Sequence, residues 1–158
     1  MITFGSIYDD RLKDAKKMLF KVLPKLKDNS YDIRGYKFSD VTEVRENGVL
    51  VCAYTTINSE GDKYIIINNM FQKERLEALA SLLAHELTHV LKKPTVDEEV
   101  AAYTMEAIAW QRLKKDDIKE TELTKILDFV LDLYNKNAIR NYVENSKFYG
   151  KQLKVSNN

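Results

Sequence analysis

The run Leu76-Glu77-Ala78-Leu79-Ala80-Ser81-Leu82-Leu83-Ala84-His85-Glu86-Leu87-Thr88-His89-Val90-Leu91 constrains the fold more than any other part of the chain. It has no glycine or proline and is apolar around most of its circumference. It therefore predicts a helix, beginning near Gln72 or Lys73, that the rest of the fold must cover. The same run holds both histidines of the chain, in the HExxH pattern His85-Glu86-Leu87-Thr88-His89. Residues four apart on a helix lie one turn apart on the same face, so the two imidazoles can grip one zinc ion. Glu86 follows the first histidine and can lean toward the metal-bound water as general base. Two histidines placed by accident on a buried helix are the plain alternative. The uncharged Leu87 and Thr88 and the adjoining Glu86 favour the metal.

Composition sets the bounds around that helix. A chain of 158 residues, 44% apolar and 31% charged, is expected to form one domain over 1–158 with a real core. A net charge of +1 argues against nucleic acid or a membrane surface as the main partner. Cys52 is the only cysteine, which excludes an internal disulfide. It reads as a small buried thiol in mid-strand, not as a nucleophile or ligand. The first ten residues lack a basic start followed by an apolar stretch, so they predict no signal peptide. No apolar run approaches membrane-spanning length. A cytoplasmic protein is the expectation.

Along the chain, Arg11 to Leu23 predicts an amphipathic helix closed by Pro24, its lysines (Lys13, Lys16, Lys17, Lys21) forming a solvated face beside Asp9, Asp10 and Asp14. Three strands are expected at Tyr31–Phe38, Gly48–Ile57 and Lys63–Asn68. The last two should form a hairpin around Asn58-Ser59-Glu60-Gly61-Asp62. After Lys92-Lys93-Pro94 the pattern is helical throughout: Thr95–Lys115, Glu122–Asn135 and Ala138–Tyr149, with a frayed tail at Val155–Asn158. The fold class is α+β: an N-terminal helix, a mostly antiparallel sheet of about three strands, the HExxH helix and a C-terminal helical part.

A catalytic zinc takes three protein ligands and leaves a position for water. No third histidine exists and Cys52 lies on another element, so a carboxylate must complete the set. Asp97, Glu98, Glu99 and Glu106 follow the turn at Pro94. Thr95-Val96-Asp97-Glu98 reads as a capping box, which explains Asp97 and Glu98 as first-turn acids. Glu99 instead falls inside the apolar arc of Val96, Val100, Tyr103, Ala107, Trp110 and Leu113, where a buried carboxylate needs a partner. A short turn makes the two helices antiparallel and brings this first turn opposite His89. Glu99 is the expected ligand, with Glu98 next. Glu106, two turns on, could orient His85 by accepting its other ring N–H, or form a surface salt bridge.

HExxH with a glutamate on the next helix resembles the gluzincin metallopeptidases. Small size, a strand just before the zinc helix and the stretch Glu99-Val100-Ala101-Ala102-Tyr103 are similar to their minimal members, the minigluzincins. Short cytoplasmic zincins with a Glu-x-x-Ala stretch after the motif are similar too. The likeness covers about Lys63 to Trp110; the spacing from His89 to Glu99 is shorter than in the large gluzincins, which leaves Glu98 open beside Glu99. The resemblance implies a zincin-like domain with its core region at 63–115 and one zinc per chain. It implies hydrolysis of a peptide or protein substrate, with His85, His89 and Glu99 as ligands and Glu86 as base. It also implies that Lys63–Asn68 is the upper edge strand, holding the extended substrate by β-augmentation. An oxyanion donor is normally needed as well, and Tyr103, Tyr134, Tyr142 and Tyr149 are available. The alternative is a silent zinc-binding regulator or scaffold that keeps the fold.

Overall fold

The first helix shows how local sequence and core meet. In α1 (Asp10–Val22) the Asp9 side chain caps the start, accepting from the backbone N–H groups of Arg11 and Leu12 at 2.9 and 3.1 Å. Leu12, Ala15 and Leu19 recur at helical spacing and are fully buried, while Lys13, Lys17 and Lys21 face solvent. Lys16 lies over the Tyr36 ring, 4.7 Å from its centroid. Leu23 ends the helix, and a 3₁₀ segment follows at Pro24–Ser30. The structure is a computed structural model that describes residues 9–30, 33–40, 51–89 and 95–146. The expectations for residues 1–8, the 48–50 part of the second strand, the turn at Lys92–Pro94, Tyr149 and the tail lie outside these residues.

The remaining elements are β1 (Ile33–Ser39), β2 (Ala53–Ile57), β3 (Lys63–Asn68), a short 3₁₀ turn at Asn69–Phe71, α2 (Leu76–Thr88), α3 (Val96–Leu113), α4 (Glu122–Asn135) and α5 (Ile139–Glu144). The α+β class is thus observed. β2 and β3 form the expected antiparallel hairpin. Its turn is held by the Asn58 side chain, which accepts from the N–H groups of Glu60 and Asp62 at 2.9 Å each, and by Gly61 at φ 86°.

Two sheet expectations are corrected. The strand order is β1-β3-β2, and β1 runs parallel to β3, so the sheet is mixed. Lys63–Asn68 is therefore the central strand, hydrogen-bonded on both sides, and offers no free edge to a substrate. The reason is visible in its composition: Tyr64-Ile65-Ile66-Ile67 is apolar without alternation, and both of its faces are covered. Ile65 and Ile67 join Tyr36 of β1 in the main core, whereas Tyr64 and Ile66 pack with Val51 and Tyr54 on the opposite face.

α2 is buried continuously from Glu77 to Leu87, between α1, the sheet and α3. A helix covered on all sides is stabilised mainly by apolar burial, roughly 1.5–3 kcal/mol for each large side chain. Among the described residues no helix is long and apolar enough to cross a membrane.

Candidate metal centre

The centre forms where α2 ends. His85 sits in its last turn, but the helix stops at Thr88, and His89 is the C-cap with extended geometry (φ −73°, ψ 118°). The expected helix through His89 toward Pro94 is thus shorter. One competing contact is clear: the Asn29 side chain, from the 3₁₀ segment after α1, donates to the Leu87 carbonyl at 2.9 Å, a group that a continuing helix would use itself. The two imidazoles still meet, with ring centroids 5.1 Å apart.

α3 supplies the carboxylates. The Thr95 hydroxyl accepts from the Glu98 N–H at 3.1 Å, which is the N-cap half of the expected box. The Glu98 carboxylate turns to His89, its Oε1 2.9 Å from Nδ1. Glu99 is completely buried, with Oε1 2.7 Å from His89 Nε2 and Oε2 3.7 Å from His85 Nε2. Glu106 Oε1 lies 3.1 Å from His85 Nδ1, where a residue orienting that ring would have to be. The buried side of α3 runs through Glu99, Ala102, Glu106, Ala109 and Leu113, while Val96, Val100 and Tyr103 are half-buried. The expected arc was therefore centred slightly off, but Glu99 and Glu106 both fall inside it. Asp97 is exposed and pairs with Arg140 at 2.7 Å.

Each histidine thus has a carboxylate beside Nδ1 and shares Glu99 at Nε2. A proton on each Nδ1 would leave both Nε2 lone pairs for a cation. His85, His89 and Glu99 each offer one ligand atom, all within 4.8 Å of one another. Both Glu99 oxygens, Glu106 Oε2 and His85 Nδ1 are buried without a regular hydrogen bond, their contacts being the ring–carboxylate ion pairs just described. Buried polar atoms left in this state are costly, and a divalent cation between the three side chains would satisfy both Glu99 oxygens. Two imidazoles and one carboxylate suit several divalent transition metals.

Electrostatics in the metal-free protein agree. Burial would raise the Glu99 carboxyl, but the facing imidazoles outweigh it and hold the group at about 2. Burial would lower His85, yet Glu106 and Glu99 push it well above the usual histidine value. His89 is raised as well: burial lowers it, and the contact with Glu99 more than offsets that. Protons on the imidazoles thus neutralise the carboxylates where a cation would do so.

Glu86 is buried and points toward the sheet, where the Thr55 hydroxyl of β2 donates to its Oε2 at 3.0 Å. Burial raises the Glu86 carboxyl, partly offset by His85, His89 and the Thr55 hydrogen bond. Of the four tyrosines considered, Tyr103 touches the centre, its ring 4.6 Å from that of His85 and edge-to-face. Tyr142 stacks on Tyr103 at 5.8 Å, one layer further out. Among the described residues no hydrogen bond or ring contact joins Tyr134 to the ligand residues.

Glu98, the next candidate ligand in the sequence reading, reaches the outer nitrogen of His89, and one further contact had no foreshadowing there. Thr55 on Glu86 could have been suspected only from a hydroxyl on the core-facing side of a strand, opposite Ile65. Comparison with protein-family models, with curated proteins and with solved structures finds no match to this chain.

Proposed function

We propose that this chain is a zincin-like zinc metallopeptidase, in which His85, His89 and Glu99 hold one zinc ion and Glu86 is the general base. The observation that carries the reading is the convergence of two imidazole nitrogens on the fully buried Glu99 carboxylate, whose oxygens lack hydrogen bonds, beside a second buried carboxylate. When bound, zinc would supply Lewis acidity, acidifying a water and polarising the scissile carbonyl. Glu86 takes the proton of the attacking water and passes it to the leaving amine. Its burial-raised carboxyl brings that basicity closer to neutral pH. The Glu106 and Glu98 carboxylates stand 3.1 and 2.9 Å from the outer nitrogens of the two rings, the position from which they would fix the tautomers with a metal bound. Tyr103, the tyrosine against His85, is the best-placed donor for the developing oxyanion.

The substrate strand moves from Lys63–Asn68 to β2. The Asn68 N–H bonds to the Cys52 carbonyl, which sets the hydrogen-bonding phase of the hairpin. By that alternation Tyr54 and Thr56 bond to β3, and Ala53, Thr55 and Ile57 turn their backbone groups to the other edge. Among the described residues no strand pairs there. An extended peptide added to this edge would lie next to Glu86.

The test is hydrolysis by zinc-loaded protein of unfolded proteins and a peptide library, full-length and trimmed at each end, for wild type and Glu86→Gln. The variant should keep its zinc and lose at least the roughly 10²–10⁴-fold that general-base catalysis supplies. If both were equally inert on every substrate and truncation, a silent zinc-binding regulator would replace the peptidase.

A further inference from the structure

We infer that Thr55 is a positioning residue for the base: its hydroxyl holds one oxygen of the Glu86 carboxylate and thereby aims the other at the centre formed by His85, His89 and Glu99. The inference rests on the metallopeptidase reading above. Thr55 Oγ1 donates to Glu86 Oε2 at 3.0 Å, and among the described residues it is the hydrogen-bond donor to that carboxylate. A glutamate side chain has several rotatable bonds, so a base held at neither oxygen would sample many directions. Fixing one oxygen removes most of that freedom and leaves the second for a water.

The setting makes the hydroxyl a stiff anchor. Thr55 is β-branched, which restricts its own rotation, and it lies on a strand opposite Ile65 of the central β3. Beside it on that face of the hairpin stand Ala53 on β2 and Ile65 and Ile67 on β3, all packed in or against the main core. A valine would fill the same shape, so packing alone gives no reason for an oxygen here. The residue also has two ends in the proposed reaction. Its side chain touches the base, and its backbone faces the edge on which the substrate would pair. Ordering of β2 by a bound peptide would therefore also order Glu86, tying alignment of the base to occupancy of the cleft.

The test is a double-mutant cycle on full-length, zinc-loaded protein, with acetohydroxamate as the probe and calorimetric affinity as the readout. A hydroxamate that chelates the metal places its own hydroxyl where Glu86 can accept from it, so its affinity reports the aim of the base without any turnover. Zinc content is measured first for every variant and should not change. Thr55→Val should weaken the probe about tenfold, the size of one lost hydrogen bond to a charged group. Thr55→Ser should restore most of it, and Thr55→Val should have no further effect once Glu86 is Gln. With a cleavable peptide, Thr55→Val should lower kcat and leave KM unchanged.

Unchanged affinity in Thr55→Val, an equal loss in the Glu86→Gln background, or a Ser variant as weak as the Val variant would each overturn the inference. A wild type without zinc would overturn it together with the metallopeptidase reading, and the metal content identifies that case. If the cycle came out as expected but no peptide were cleaved, the peptidase reading alone would fall.

Discussion

Helix α3 carries a polar cluster near each end, and the two are completed differently. Near its C-terminus the buried Trp110 donates its ring N–H to Asp128 Oδ1 at 2.8 Å, and Lys114 reaches the same oxygen at 2.7 Å. Burial would raise the Asp128 carboxyl, but these two donors outweigh it and hold it low. Toward the N-terminus, Glu99, Glu106 and His85 are as deeply buried as the core, yet four of their polar atoms have no hydrogen bond. A polar group closed by its own neighbours fixes how helices pack. One held only by ion pairs among buried titratable groups is the kind of arrangement that a metal ion would complete under the reading proposed above.

The largest effect expected from this contrast is at Glu99. Glu99→Gln should weaken zinc affinity by more than the roughly 10–100-fold typical of losing an outer partner, because a ligand itself is removed. Chelator competition measures this; a loss no larger than that of Glu98→Gln would move the third ligand to Glu98. Next come the outer carboxylates. Glu106→Gln and Glu98→Gln should each fall within about 10–100-fold, by loosening His85 and His89 respectively. The contact with His89 raises the effect expected at Glu98 above a lost helix cap alone.

A pH series sharpens the same contrast. Glu99 is held at about 2 in the fold against a usual value near 4.5, so its contribution to metal-free stability is present above 4.5 and lost as pH falls toward 2. His85 and His89 are raised above 6.5, so their contribution is complete below 6.5 and lost as pH rises through the raised values. Glu86 is also raised, and its burial costs stability once it ionises. The metal-free centre should therefore be most favourable between about 4.5 and about 6.5. Zinc must displace the imidazole protons, so its affinity should climb with pH until the raised histidine values are passed, while metal-free stability declines above about 6.5. Thermal unfolding without metal and chelator competition with it would show both trends; a pH-independent affinity would contradict the ligand set. The smallest effect belongs to the closed cluster. Asp128→Asn should cost about 1 kcal/mol in chemical denaturation, since the pair is half exposed, and leave zinc content unchanged.

What could be read from sequence follows the range of the forces involved. Periodicity and capping are local, so α4 at Glu122–Asn135 and β3 at Lys63–Asn68 match the expected bounds, and the hairpin turn follows from Asn58 and Gly61. The HExxH spacing is local too, and Glu99 stood out because a charge on a buried arc conflicts with its surroundings. Strand partnership is not local: the parallel seat of β1 beside β3 is decided by which faces need cover. The unbroken Tyr64-Ile65-Ile66-Ile67 run was the sign of a central strand. At the end of α2 the Leu87 carbonyl accepts from Asn29, 58 residues away. The hydrogen bond to Glu86 comes from Thr55, 31 residues away. Neither contact leaves a trace in the sequence of the helix itself.

The metal content of the purified full-length protein tests the central claim most directly. Elemental analysis should find one zinc per chain in the wild type and almost none in a folded His85→Ala, His89→Ala double variant. No stoichiometric metal in the wild type after zinc loading, or an undiminished zinc content in the double variant, would contradict the account.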